Sequence, residues 1–72
     1  MSDTATVHID GAARGNPGPA AYALILRRPG LPDVEESDTL GKATNNVAEY
    51  TGLIRGLERA IELGVKNLTV FS

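Results

Sequence analysis

From Thr4 to Asp10 the chain alternates. Ala5, Val7 and Ile9 fall on one side, and Thr6, His8 and Asp10 on the other. That period of two predicts a strand with one buried face over residues 4–10. Residues 11–19 (GAARGNPGP) hold three glycines and two prolines, which predicts a loop of constrained backbone. Residues 20–28 (AAYALILRR) are an almost unbroken apolar run ended by Pro29-Gly30. The run is short for a helix and predicts a strand covered on both faces. Residues 29–33 (PGLPD) predict a turn, and residues 34–42 (VEESDTLGK) a third, polar strand near a sheet edge. Three strands on short connections make an antiparallel meander.

The period then changes. In residues 44–63, Val47, Tyr50, Ile54, Leu57 and Ile61 recur at spacings of three and four, which predicts a helix burying that stripe. Arg55, Glu58, Arg59 and Glu62 lie mostly away from it. Thr44 to Asn46 supply N-cap candidates, Asn46-x-x-Glu49 resembles a capping box, and Gly64 suits the stop. Residues 66–72 (KNLTVFS) predict a last strand. A helix between two strands is a crossover, so that strand should run parallel to the first, with right-handed topology. The expected fold class is α/β with a mixed sheet: three antiparallel strands, one crossover helix, and a fourth strand parallel to the first.

Bulk properties narrow the picture. Seventy-two residues make one small domain or part of one. The absence of cysteine excludes a disulfide framework and a thiolate metal site, and it fits a reducing compartment, the cytoplasm. No apolar run approaches the ~20 residues of a membrane helix, and the polar start Met1-Ser2-Asp3-Thr4 is unlike a secretory signal. No membrane partner is expected. A net charge of −2 lacks the basic footprint usual for nucleic-acid binders, although phosphate contacts need only local donors.

The candidate chemistry sits near one sheet edge. Asp10 ends the first strand, where it either opens a turn or ligates a metal. Glu49 lies in the first turns of the helix, where it either serves the helix dipole or ligates the same metal. Two carboxylates are good hard-cation ligands, but too few for a two-metal phosphodiester clamp. Gly11, Gly15 and Gly18 read as positive-φ turn positions, or as backbone that a sugar-phosphate chain approaches. Arg14 is either a solvated loop arginine or a phosphate contact. Of Asn45 and Asn46, capping needs only one. His8 shares a face with Asp10 and is expected to be packed or hydrogen-bonded, not a ligand.

Ile9-Asp10-Gly11, Arg14-Gly15-Asn16-Pro17-Gly18-Pro19 and Thr44-Asn45-Asn46-Val47-Ala48-Glu49, in this order, resemble type 1 ribonuclease H, with Asn67 to Ser72 matching the strand that leads to its next aspartate. The resemblance covers essentially the whole chain and implies a metal-dependent endonuclease that cuts the RNA strand of an RNA–DNA hybrid. It implies two Mg2+ ions, with Mn2+ as an alternative, and it matches Asp10 and Glu49 to catalytic metal ligands. It also matches Gly11, Asn16 and Asn45 to contacts with the hybrid, with Arg14 in the same loop, and Glu49 to a contact with the RNA 2′-hydroxyl. The family's third carboxylate directly follows the position of Ser72. The 72 residues alone are therefore expected to be inactive, as the N-terminal part of a ribonuclease H-like domain. Two alternatives stay open: a non-catalytic nucleic-acid-binding piece, and a piece that self-associates through residues 67–72.

Overall fold

A computed structural model describes residues 3–72. The elements are β1 (Thr4–Ala13), β2 (Gly18–Arg27), β3 (Val34–Ala43), α1 (Asn45–Glu62) and β4 (Asn67–Phe71). The sheet order is β3-β2-β1-β4. β1 pairs antiparallel with β2, β2 antiparallel with β3, and β1 parallel with β4. The meander, the crossover and the parallel last strand are as expected.

The glycine-rich segment is mostly sheet and not loop. β1 continues through Gly11 to Ala13, and β2 already begins at Gly18. Only residues 14–17 turn the corner, closed by the Arg14 N–H donating to the Pro19 carbonyl at 2.8 Å. The Asn16–Pro17 peptide is cis. Of the three glycines read as positive-φ positions, only Gly15 has a positive φ, +77°. Gly18 is glycine because a Cβ there would overlap the Arg14 carbonyl oxygen. β3 carries a bulge where Ala20 faces Gly41 and Ala21 faces Thr39. Gly41, at φ +66°, absorbs it.

β2 departs from expectation as well. Gly18, Ala20, Tyr22, Leu24 and Leu26 are buried, whereas Ala21 and Ala23 are exposed. One face is covered, by α1; the other is open. The small size of Ala21 and Ala23 made an alternating strand look uniformly apolar. The core joins Ala5, Val7 and Ile9 of β1, Tyr22, Leu24 and Leu26 of β2, and Ala60 of α1.

The helix shows the largest difference. Its buried residues are Ala48, Gly52, Gly56 and Ala60. The stripe expected to face the core is exposed instead, with Tyr50 at 64% and Ile61 at 75%. The reason is steric. A Cβ on Gly52 would stand 2.5 Å from the Ile9 Cγ2, and one on Gly56 3.4 Å from the Val7 Cγ2. The sheet supplies the bulk, and the helix supplies a smooth ridge that lets its backbone come close. Large residues on that ridge would hold the two layers apart.

The helix ends are closed as their sequence suggests, with one correction. Thr44 is the N-cap, its hydroxyl accepting from the Val47 N–H at 3.2 Å, so the Asn46–Glu49 box does not form. Gly64 has φ +75°. The Val65 N–H donates to the Ala60 carbonyl and the Gly64 N–H to the Ile61 carbonyl, which satisfies the last turn.

These spacings order three substitutions. Gly56→Ala should stabilise the chain by up to about 1 kcal/mol through helix propensity. Gly52→Ala should destabilise it by about 1–2 kcal/mol, because the β-branched Ile9 must move. Gly11→Ala, whose Cβ would meet helix backbone at 2.5 Å, should cost the most. Urea-unfolding midpoints check the order.

Candidate functional site

Gly11 is where the strand and the helix meet. Its Cβ would lie 2.5 Å from the Ala48 carbonyl carbon and 2.6 Å from the Glu49 nitrogen. The first turns of α1 thus rest directly on β1, one residue beyond Asp10. This contact carries Glu49 to the neighbourhood of Asp10 although the two are far apart in sequence. Both residues are exposed. Among the described residues neither carboxylate has a hydrogen-bond or ion-pair partner.

The two acids arrive from different sides. By the alternation of β1, Asp10 belongs to the open face with His8, and it borders a shallow hollow there with Ala23 and Ile25. Glu49 lines a separate open cleft of about 270 Å³ with Ile9, Asn46, Tyr50, Leu53, Val70 and Ser72. The backbones are brought together, while the carboxylates border adjacent hollows. Among the described residues no group of three or more His, Cys, Asp or Glu forms a metal cluster. His8 is exposed, and its ring stacks on Phe71 with centroids 4.8 Å apart.

The two asparagines lock the hairpin loop to the helix. The Asn16 Oδ1 accepts from the Asn45 N–H at 3.0 Å, and the Asn45 Oδ1 accepts from the Ala13 N–H at 2.7 Å. A backbone N–H is a donor, so each side-chain oxygen is fixed as the acceptor. Each amide NH2 is left over, on an exposed residue. The expectation that one of Asn45 and Asn46 would cap the helix is not met, since Thr44 does so. Asn45 instead ties three segments, and Asn46 lines the Glu49 cleft. Arg14 is exposed at the loop tip.

Comparisons with known proteins complete the picture. Residues 8–72 match a family model described as reverse transcriptase-like. The chain is 48% identical over 62 residues to ribonuclease HI of Halobacterium salinarum. It is 46% identical over 66 residues to a bifunctional protein of Mycobacterium tuberculosis. The chain belongs to this ribonuclease H-like family. The solved N-terminal RNase H domain of the M. tuberculosis protein superposes with a TM-score of 0.87 at 42% identity, covering 93% of this chain and 53% of that one. A second ribonuclease H, LC11-RNase H1 in complex with an RNA/DNA hybrid, gives 0.81 at 38%, covering 92% of this chain and 51% of that one. The chain spans about half the length of these solved domains. Of the curated relatives it spans 31% (Halobacterium, from 85% of this chain) and 18% (Mycobacterium, from 89%). The four-stranded mixed sheet with one helix is the ribonuclease H fold over that span.

One cluster in this ribonuclease H-like chain escaped the sequence reading. Glu36 of β3 accepts from the Tyr22 hydroxyl at 2.7 Å, from the Arg55 Nε at 2.7 Å and from the Arg55 guanidinium again at 3.0 Å. Arg59 stands 3.8 Å from the same carboxylate. Arg55 and Arg59 do lie away from the large apolar stripe, and from there they clasp the sheet. The available signal was two arginines four apart on a helix whose small-residue ridge lies beside them. The hydrogen bonds from Arg55, then that from Tyr22, hold the Glu36 carboxyl down to about 2, against the opposing pull of burial. The Tyr22 phenol is pushed up, first by its bond to Glu36 and then by burial.

A carboxylate with a depressed pKa stabilises the fold above its unfolded value, and that contribution is lost as pH falls through the folded value. For Glu36 the window runs from 4.5 down to about 2. Wild-type stability should therefore fall across that window, and Glu36→Gln should flatten the fall. Chemical denaturation at stepped pH measures both slopes.

Proposed function

We propose that this chain forms the first half of a ribonuclease H active site, in which Asp10 and Glu49 hold divalent cations for hydrolysis of the RNA strand of an RNA–DNA hybrid. The observation that carries the proposal is the Gly11 contact, which seats Glu49 beside the strand position after Asp10. The residues fit the ions, because both acids are exposed, unpartnered oxygen donors, the ligands that hard cations prefer. A Mg2+ or Mn2+ ion bound there supplies the charge that acidifies an attacking water and offsets the phosphate. Extending the parallel register from the His8–Phe71 pair, the end of β4 runs beside Ile9 toward Asp10.

The other residues bind and orient. The free amide groups of Asn16 and Asn45 donate to acceptors on the hybrid, and the Gly11 backbone lies beside it. Arg14 at the loop tip neutralises a phosphate. Glu49 accepts from the 2′-hydroxyl, the group that distinguishes RNA from DNA. The likeness to a neighbour solved with an RNA/DNA hybrid supports this partner. A second reading, binding without cutting, is favoured by the two pinned asparagines alone. Self-association is favoured by β4, whose outer edge is open among the described residues.

Two acidic residues do not complete the clamp, so the 72-residue chain should not cleave a labelled hybrid in Mg2+. Turnover by a pure sample would overturn that expectation. Its half-site should still bind Mn2+ weakly, broadening amide resonances at Asp10, Gly11 and Glu49, and Asp10→Asn or Glu49→Gln should each abolish the broadening. Broadening confined to Glu58 and Glu62 would sink the assignment. Asn45→Asp keeps the acceptor for the Ala13 N–H but loses the NH2 donor and adds a negative charge. It should weaken hybrid binding at low salt about tenfold, measured by fluorescence anisotropy.

A further inference from the structure

The ridge that α1 lays on the sheet has no knobs. Ala48, Gly52, Gly56 and Ala60 bring the backbone close, but they leave few side chains to interlock with grooves, the usual brake on sliding and rotation between packed elements. Val47, Tyr50, Ile54, Leu57 and Ile61 face outward and offer no such brake to the sheet, and Leu53, half-buried against the core, is the one large apolar side chain of α1 that does. With so few interlocking side chains, directional polar bonds add to the hold on α1, and two such ties are present. One is at the N-terminus, where Asn45 joins Asn16 and Ala13. The other is the Glu36 clasp, where a half-buried carboxylate of β3 takes a two-pronged bond from Arg55 and a third bond from the Tyr22 hydroxyl. Glu49 lies on the helix between the two ties.

The clasp is built for direction as well as for strength. A planar guanidinium meeting a carboxylate with two parallel bonds fixes orientation, which a single point contact does not. Tyr22 donates to the Glu36 oxygen that also accepts from the Arg55 Nε, and its own Cβ stands 3.5 Å from where a Gly52 Cβ would be. The same tyrosine thus touches the ridge and anchors the carboxylate. Arg59 adds a second positive group on the next turn. Glu36 is consequently fixed relative to both β2 and α1.

We infer that Glu36, clasped by Tyr22 and Arg55, is a positioning residue that sets α1 over the sheet and so seats the Glu49 backbone against Gly11, the residue after Asp10. It acts through the helix and touches neither metal nor substrate. The inference rests on the ligand roles proposed for Asp10 and Glu49, but its first consequence is geometric and can be read without a metal.

The test uses the 72-residue chain labelled with 15N. Proton–proton contacts from the Gly11 α-hydrogens to the Ala48 and Glu49 amides report the seat of the helix, and Mn2+ titration reports the half-site. Glu36→Gln should weaken those contacts at least about twofold and weaken Mn2+ binding about tenfold, the scale of losing a support behind a ligand. The remaining helix and sheet amides should stay protected from exchange. Arg55→Lys and Tyr22→Phe should act in the same direction and less strongly, and they carry the test if Glu36→Gln does not fold. Val34→Ala, which trims a half-buried side chain near the core edge, should lower stability and leave both readouts unchanged. If folded Glu36→Gln keeps the Gly11 contacts and the Mn2+ affinity of wild type, the inference is overturned. If wild type binds no Mn2+ but Glu36→Gln still loosens the Gly11 contacts, the metal reading fails and the positioning role stands.

Discussion

The close approach of α1 to β1 at Gly11 is the contact on which the rest of the arrangement depends. A strand and a helix normally stand apart by the depth of their side chains. Here the helix backbone at Ala48 and Glu49 would lie within 2.6 Å of a Cβ on Gly11, so only glycine leaves room. Three consequences come from one missing methyl group. The helix begins immediately over the end of β1, its N-terminal asparagine can reach the Ala13 N–H and the Asn16 side chain, and its second turn delivers Glu49 to the strand position after Asp10. Glycine at position 11 therefore serves the site through packing. Its backbone φ is ordinary, so the freedom of an unusual conformation plays no part.

The approach continues along the helix and determines which face is buried. Gly52 sits against Ile9 and Gly56 against Val7, so apolar bulk from the sheet fills the layer between them. Dispersion contacts fall off within an ångström of optimal separation, and this makes a smooth, close interface worthwhile even when the helix contributes little area. The cost is a stripe of exposed apolar residues, Val47, Tyr50, Ile54, Leu57 and Ile61, with Val70 and Phe71 exposed as well. The charged clasp at Glu36 and the amide tie at Asn45 supply the directional hold that small side chains lack.

Much of this was legible in the sequence, and the misses share a cause. The alternation of β1, the meander, the crossover helix, its glycine stop and the parallel last strand all follow from periodicity and punctuation. Those signals report backbone geometry, and they transferred directly. The buried face of α1 was misread because periodicity was judged by large side chains, whereas Ala48, Gly52, Gly56 and Ala60 are periodic too and more suited to close packing. The loop at 11–19 was drawn too long for a related reason: glycine was taken as a sign of a turn when two of the three glycines are there to avoid overlap. Asn16 and Asn45 were singled out as candidate contacts, but their mutual tie through backbone N–H groups joins positions 29 residues apart. The Glu36 clasp spans 19. Neither pairing leaves a local pattern to read.

The acids of the chain divide into those paired within the protein and those open to solvent. Asp33, Glu36, Glu58 and Glu62 each have an arginine partner, and Glu36 is the most enclosed of them. Asp10 and Glu49 have none among the described residues, and neither do Glu35 and Asp38; what sets Asp10 and Glu49 apart is the Gly11 contact, which brings their backbones to one end of β1. Under the proposed reading their open oxygens have a function. A divalent cation that binds the folded chain and not the unfolded one stabilises it by mass action, and the unpaired acids are the groups through which that stabilisation acts. The Glu36 clasp, already satisfied from within the protein, then holds the helix in place whether or not the cation is present.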